Sequence, residues 1–301
     1  MELRQLRSVI AVAEEAQFSR AASRLGISQP SLSVQIAHLE AELGLVLFDR
    51  SSRRLQLTQA GELLLSRARL VVSEIADVSD ELRSLRGVVA GRVAFGVTRT
   101  AGPCDLVGLL RGYHALYPGV DLVVREGLSF ELAEQLRHDQ LDLALLSEAP
   151  DHTWTGLEAS SIASEPLVAV ISDDHPLASG EALSALDLHE QSIISFPPGA
   201  TIRDTIEDAC TAVDVTAHVA VETTEVTRIR ALAAGGLGIG VLPRSDAVSP
   251  GPSVQVRPLV GSEWEFRVSL FRRRGRRLSP AARALLEFAA ADTRDSASRS
   301  D

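Results

Sequence analysis

No lysine occurs in these 301 residues; all 30 basic side chains are arginine. The bias reads mainly as codon usage towards GC-rich triplets, although a guanidinium also forks onto phosphate better than an ammonium does. Cysteine is scarce too. Cys104 and Cys210 do not form a metal-ligand or redox pair by spacing, a disulfide-stapled scaffold is excluded, and two thiols in so long a chain suit a reducing compartment. No stretch offers the ~18 consecutive apolar residues that span a bilayer. The opening "MELRQLRSVIAVAEEA" puts acids inside its one apolar run, so it lacks the basic start and uninterrupted apolar middle of a secretory signal. A soluble, cytoplasmic protein is expected. The seven histidines show no ligand-like spacing, and neither a Gly-rich phosphate loop nor a nucleophile elbow is present. "GGLGIG" lies at a helix end leading into a strand, the reverse of a dinucleotide fingerprint. No metal, cofactor or catalytic role is expected.

Net positive charge is missing as well. The chain carries -10 overall, which argues against a general polyanion binder. The acidity is uneven: residues 1–57 sum to +1 and the remaining 244 to -11. What is abundant is apolar content, 45%, enough for real cores in about two domains.

Leu3, Leu6, Ile10 and Ala13 recur at helical spacing, so residues 2–16 are predicted to form an amphipathic helix. Ser19 is placed to cap a second helix over "RAASRL", closed by Gly26. Ser28 caps a third, Pro30 sits in its first turn where the missing N–H is no loss, and Leu32, Ile36, Leu39 and Leu43 supply a buried stripe. "LFDR" and "RLQLT" flank a short polar turn and suit a hairpin, completing a winged helix-turn-helix over residues 1–58.

From there to Arg86 the positions Leu64, Ala68, Val71, Ile75, Val78, Leu82 and Leu85 step by four and three in alternation. Such a heptad seam predicts a long linker helix, over residues 59–90, that pairs with a second chain. A buried helix within a globular domain is the alternative. Gly87 and Gly91 end it, and a β/α alternation follows through residue 292, with strands expected at 92–98, 121–126, 142–147, 167–172, 192–196, 218–222, 238–242 and 264–271. Helices are expected after Thr100, Ser129, Thr201 and Glu222. The pattern argues for parallel sheets flanked by helices, in two lobes joined through "SIASEPLVAVISDD": about 91–162 with 267–292, and about 163–266. Residues 293–301 are polar and expected to be disordered.

"AVAEEAQFSRAASRLGISQPSLSVQIAHLEAELGLVLFDR" followed by "LTQAG" resembles the amino-terminal signature of LysR-type transcriptional regulators. The likeness continues through "LYPGVDLVV", "LDLALL", "ALAAGGLGIGVLP" and "RRGRRLSPAARALLEF", in order and over nearly the whole chain. The resemblance implies an α/β protein with a mainly α winged helix-turn-helix, a dimerising linker helix and a two-lobed, periplasmic-binding-protein-like effector domain. It further implies tetramers, double-stranded promoter DNA and a small-molecule effector as partners, and RNA polymerase if the protein activates.

In a helix-turn-helix the start of the second helix enters the major groove, so Gln29, Pro30, Ser31, Ser33 and Val34 are the candidate readers. Gln29 can pair with adenine, the serines can reach bases or phosphates, and Pro30 can touch a thymine methyl. The family pattern often has basic residues where this chain has Val34, Ala37, His38 and Val46. Arg50, Arg53 and Arg54 in the wing, with Arg20 and Arg24 on the preceding helix, are left as the local cations. "RRRGRR" reads as a solvated basic turn before a nucleic-acid patch.

For the effector, "FGVTRT" ends a strand and leaves Thr98, Arg99 and Thr100 near the start of a helix, where hydroxyls, helix N–H groups and a guanidinium suit a carboxylate. Capping by Thr100 with an exposed Arg99 is the plain alternative. Ser129, Phe196, Thr201, Thr223 and Thr224 complete the expected cleft for a small, anionic molecule. Three other classes compete: a two-lobed binding protein with no regulatory role, an enzyme on a two-lobed fold, and a redox sensor using Cys104.

Overall fold

The computed structural model describes residues 1–49, 55–84, 89–148 and 154–297. They form two compact units, one built on Met1–Val89 and the other on the chain from Ala90 onward.

The first unit opens with three helices, Leu3–Glu15 (α1), Phe18–Leu25 (α2) and Gln29–Leu43 (α3). Ser28 caps α3 by accepting from the Ser31 N–H, with Pro30 in the first turn where no helical donor is needed. Leu32, Ile36 and Leu39 pack against Val9, Val12 and Ala21, each anchor contributing about 1.5–3 kcal/mol relative to exposure. Two expectations change here. Ser19 lies inside α2, which Gln17 precedes as the flanking residue, and Leu43 is exposed because Gly44 ends the helix before a further turn is covered. Phe48–Asp49 (β1) and Gln56–Leu57 (β2) pair antiparallel as a small wing. Gln59–Ser84 (α4) follows, started by the Thr58 hydroxyl, which accepts from Gly61 N–H at 3.1 Å. A Cβ on Gly61 would lie 2.1 Å from the Leu47 carbonyl oxygen, so only glycine lets α4 approach the wing this closely.

The second unit runs Gly91–Thr98 (β3), Leu106–Leu116 (α5), Val120–Gly127 (β4), Ser129–Arg137 (α6), Leu143–Glu148 (β5), Leu157–Ile171 (β6), Leu183–Ser184 (β7), Ser192–Ser195 (β8), Thr201–Thr211 (α7), His218–Glu222 (β9), Val226–Ala234 (α8), Ile239–Pro243 (β10), Arg244–Ala247 (α9), Gln255–Val260 (β11), Glu265–Arg273 (β12) and Pro280–Ala297 (α10). Strand order is β4-β3-β5-β12-β6-β10-β8-β9, with β11 beside β6 and β7. β3 is parallel to β4 and β5, and β8 to β9 and β10. The sheet is nevertheless mixed, because β12 and β6 run antiparallel to their neighbours. An extended chain that crosses between lobes and returns beside itself needs no helical crossover, and that pairing is antiparallel.

β6 is the shared element. It pairs with β12 up to Pro166, then with β10 from Leu167 and β11 from Val168. α10 runs to Ala297 and so extends into the segment expected to be disordered from residue 293.

Candidate DNA-reading helix and effector cavity

On α3, Gln29, Pro30, Ser31 and Val34 are exposed and Ser33 is half-buried. The Gln29 side-chain amide donates to the Ser33 hydroxyl at 3.0 Å. That bond fixes the amide while its second hydrogen and its oxygen keep the donor–acceptor pair that adenine matches. The Ser31 hydroxyl lies 2.8 Å from that of Ser28 and so belongs partly to the cap.

The expected cations are placed differently. Arg24 pairs with Glu14 at 2.8 Å and Glu15 at 3.4 Å, and its pKa is raised, chiefly by the hydrogen bond to Glu14. Arg20 donates to the Glu15 carbonyl at 2.7 Å. Both guanidiniums are thus engaged by the acidic end of α1. Arg50, Arg53 and Arg54 lie outside the described residues, as does Leu85 of the linker seam. Of the first two seam positions, Leu64 packs partly buried against the winged-helix core and Ala68 is buried.

In the second unit a cavity of about 20 Å³ is lined by Thr98, Arg99, Thr100, Leu128, Ser129, Ser147, Phe196, Ala200, Thr201, Ile202 and Phe266. The strand ends of β3 and β5 deliver Thr98 and Ser147, and the first turns of α6 and α7 deliver Ser129 and Thr201. Four hydroxyls form a buried chain. Ser129 donates to Thr98 at 3.2 Å and lies 2.8 Å from Ser147, whose hydroxyl lies 2.8 Å from that of Thr201. Arg99 is exposed and is the single cation of the lining.

The cavity departs from the expected cleft at three points. Thr100 does not cap a helix: α5 begins at Leu106 and is capped by Asp105, which accepts from Gly108 N–H at 2.9 Å. Thr223 and Thr224 are not among the lining residues, and the Thr223 hydroxyl instead accepts from Glu225 N–H at the start of α8. The sequence did not point to Ser147, nor to the apolar Leu128, Ala200, Ile202 and Phe266 of the lining, although a serine within the buried part of "LALLSE" is a signal of a kind.

Neither cysteine lines the cavity. Cys210 is buried, and burial, with a smaller contribution from Glu207, pushes its thiol pKa up. "RRRGRR" is largely structural: Arg272 pairs with Glu158, and Arg276 pairs with Asp142 at 2.8 Å. Among the described residues no group of three or more His, Cys, Asp or Glu is placed to hold a metal ion, and no helix is long and apolar enough to cross a membrane.

A helix-turn-helix with a wing, a long helix and a two-lobed α/β unit whose cavity lies at strand ends and helix starts define a DNA-binding protein with a ligand-responsive domain. Residues 3–62 match the family described as bacterial regulatory helix-turn-helix protein, lysR family, and residues 86–294 match the LysR substrate binding domain. The chain belongs to the LysR family and is a DNA-binding transcriptional regulator with an effector-binding domain. It is 33% identical over 247 residues to the DNA-binding transcriptional dual regulator OxyR of Escherichia coli (strain K12), covering 81% of this chain and 79% of that protein. Among solved structures, a full-length OxyR variant from Pseudomonas aeruginosa superposes with a TM-score of 0.75 at 28% identity, over 98% of this chain and 95% of the other. Full-length CbnR in complex with its target DNA superposes with a TM-score of 0.67 at 26% identity, over 97% and 99%.

Proposed function

We propose that the cavity of the second unit binds a small anionic metabolite and that its occupation changes how the regulator engages promoter DNA. The buried hydroxyl chain from Thr98 to Thr201 is the observation that carries this reading. Hydroxyls can turn their protons towards a carboxylate, and Arg99 stands at the same cavity with a guanidinium. At about 20 Å³ the cavity has room for little more than one water molecule. A metabolite therefore has to take over the Ser147–Thr201 contact, which links the lobe of β5 to the start of α7, and this exchange is how binding would be felt across the lobes.

Calorimetry of the full chain against a panel of small carboxylates tests the idea. Thr201→Val should weaken the bound acid about 10-fold or more, the cost of a lost hydrogen bond to a charged group. Undiminished binding in that variant, or in Thr100→Val, would refute this placement. The 33% identity to the hydrogen peroxide-inducible genes activator of Escherichia coli O157:H7 favours a second reading, redox sensing, for which Cys104 is the half-buried thiol. Peroxide treatment followed by mass spectrometry and a gel shift separates the two, since the metabolite reading expects operator binding unchanged by oxidant.

In the first unit, α3 reads bases, with Gln29 the principal hydrogen-bonding side chain and the wing arginines Arg50, Arg53 and Arg54 supplying phosphate contacts. Gln29→Ala should cost ~1–3 kcal/mol on the operator and little on random duplex; equal losses on both would remove its base-reading role. The residue spans 1–58, 59–90 and 91–292 serve as reader, coupler and sensor, the protein acts in the cytoplasm as a dimer or tetramer, and it contacts RNA polymerase if it activates. The sensor unit is read as having no catalytic task.

A further inference from the structure

The outward face of α3 is apolar. Pro30, Val34, Ala37 and Ala41 are all exposed. At about 100° per residue they fall within roughly 60° of one another and about 160° from the centre of the buried Leu32, Ile36 and Leu39 face. Val34 is 68% exposed, and Val46, which shares a shallow groove with Ala37, is 61% exposed. The stripe is not a spare core surface, since the core lies on the other side of the helix. The acids at its margins are engaged: Glu40 accepts from the Leu47 and Phe48 N–H groups at 2.8 and 3.3 Å, and Glu42 pairs with the N-terminal ammonium.

We propose that this stripe reads thymine C5-methyl groups in the major groove, so that part of the operator's sequence preference is carried by methyl burial instead of hydrogen bonds. The inference rests on α3 being the base-reading helix and says what that helix reads. Three observations converge on thymine. The stripe is continuous with Gln29 and Ser31 at the exposed start of α3, the end that enters the groove in this motif. From Pro30 to Ala41 it extends about 16 Å along the helix axis, close to five base steps of about 3.4 Å each. Of the base-edge groups in the major groove, the thymine methyl is the one an aliphatic side chain recognises. Val34, at its centre, is the residue most committed to the contact, and Ala37 the next.

The test replaces thymine by uracil, which removes the methyl and leaves the base-pairing and donor–acceptor pattern intact. An operator is first selected from a random duplex pool with the full-length protein, and each thymine is then exchanged singly. Binding should fall about fourfold at one to three positions, the value for one buried methyl group, and be unchanged elsewhere. With Val34→Ser, an exposed substitution that spares the core, the fourfold step at one of those positions should vanish.

Specific binding that ignores uracil at every position overturns the stripe proposal and leaves the base-reading role of α3 standing. Failure to select any operator overturns both. If Val34→Ser instead shifts the oligomeric state with the thymine–uracil ratio untouched, the stripe is a protein interface and the proposal falls.

Discussion

Replacing Asp142 by alanine will lower the unfolding free energy by about 3 kcal/mol, and the melting transition of the second unit by about 6–12 °C. Asp142 makes three connections, two through its carboxylate and one through its backbone N–H. Its Oδ2 accepts from the Ala94 N–H at 2.8 Å, its own N–H donates to the Ala94 carbonyl at 2.8 Å, and its Oδ1 meets the Arg276 guanidinium at 2.8 Å. The side chains are 18% and 9% exposed, so the pair is mostly out of water. Removing the acid takes the carboxylate from a guanidinium that keeps its bond to the Leu141 carbonyl and leaves the Ala94 N–H without its side-chain acceptor, and the cost of these poorly solvated groups exceeds that of the lost attraction. The figure sits at the low end for buried pairs because water still reaches Asp142. Asp142→Asn keeps an acceptor for Ala94 and should cost roughly half as much. Thermal and urea denaturation of the two variants beside the parent chain measure this; a loss below about 1 kcal/mol for alanine would show the pair to be effectively solvated. The consequence reaches the cavity, because β3 and β5, joined at one end by Asp142, carry Thr98 and Ser147 at the other.

The same residues show which features were legible in the sequence and which were not. Ser28, Pro30, Leu32, Ile36 and Leu39 lie within a few turns of one another, and a helix with its cap is written in such short spacings. Ser147 pairs with Thr201, 54 residues away; that contact exists only once β5 and α7 are packed. Thr223 and Thr224 sit in a strand-to-helix turn that, read locally, looks like Thr201's, yet the Thr223 hydroxyl is turned onto the Glu225 N–H just before α8. β11 contains Pro258, which argues against a strand interior, and it forms because Gln255–Pro258 adds to the end of β6. The first ten residues of β6, "LEASSIASEP", have little β propensity and are held extended by β12. Arg276 looked like one of a solvated run until the fold turned it onto Asp142.

A Val71→Asp, Val78→Asp double substitution will leave the winged helix folded, abolish self-association and reduce operator binding about 100-fold or more. Periodicity in α4 reports an apolar stripe without saying what covers it, and the structure divides that stripe. Leu64 packs against the winged-helix core and Ala68 is buried, whereas Val71, Ile75, Val78 and Leu82 are 46%, 44%, 49% and 61% exposed in the single chain. Four large aliphatic side chains at alternating steps of four and three along one helix are the pattern that a second helix buries by knobs-into-holes packing. Aspartate at two of them would place charge in that seam, where burial without a partner is prohibitive. The fold of the monomer should not notice, since neither valine belongs to its core. Losing the pairing turns a two-site attachment to DNA into a one-site attachment, and linked binding of this kind is worth 10²–10⁴ in affinity, on the order of the loss expected. The loss should be steep for this chain because Arg20 and Arg24 are occupied by Glu14 and Glu15 and the reading helix offers no cation of its own. Sedimentation velocity gives the oligomeric state and a gel shift on the selected operator gives the affinity. A double variant that still sediments with the parent chain would show the exposed half of α4 to be uninvolved in pairing, and one that becomes monomeric yet binds the operator as before would show that a single reading head suffices.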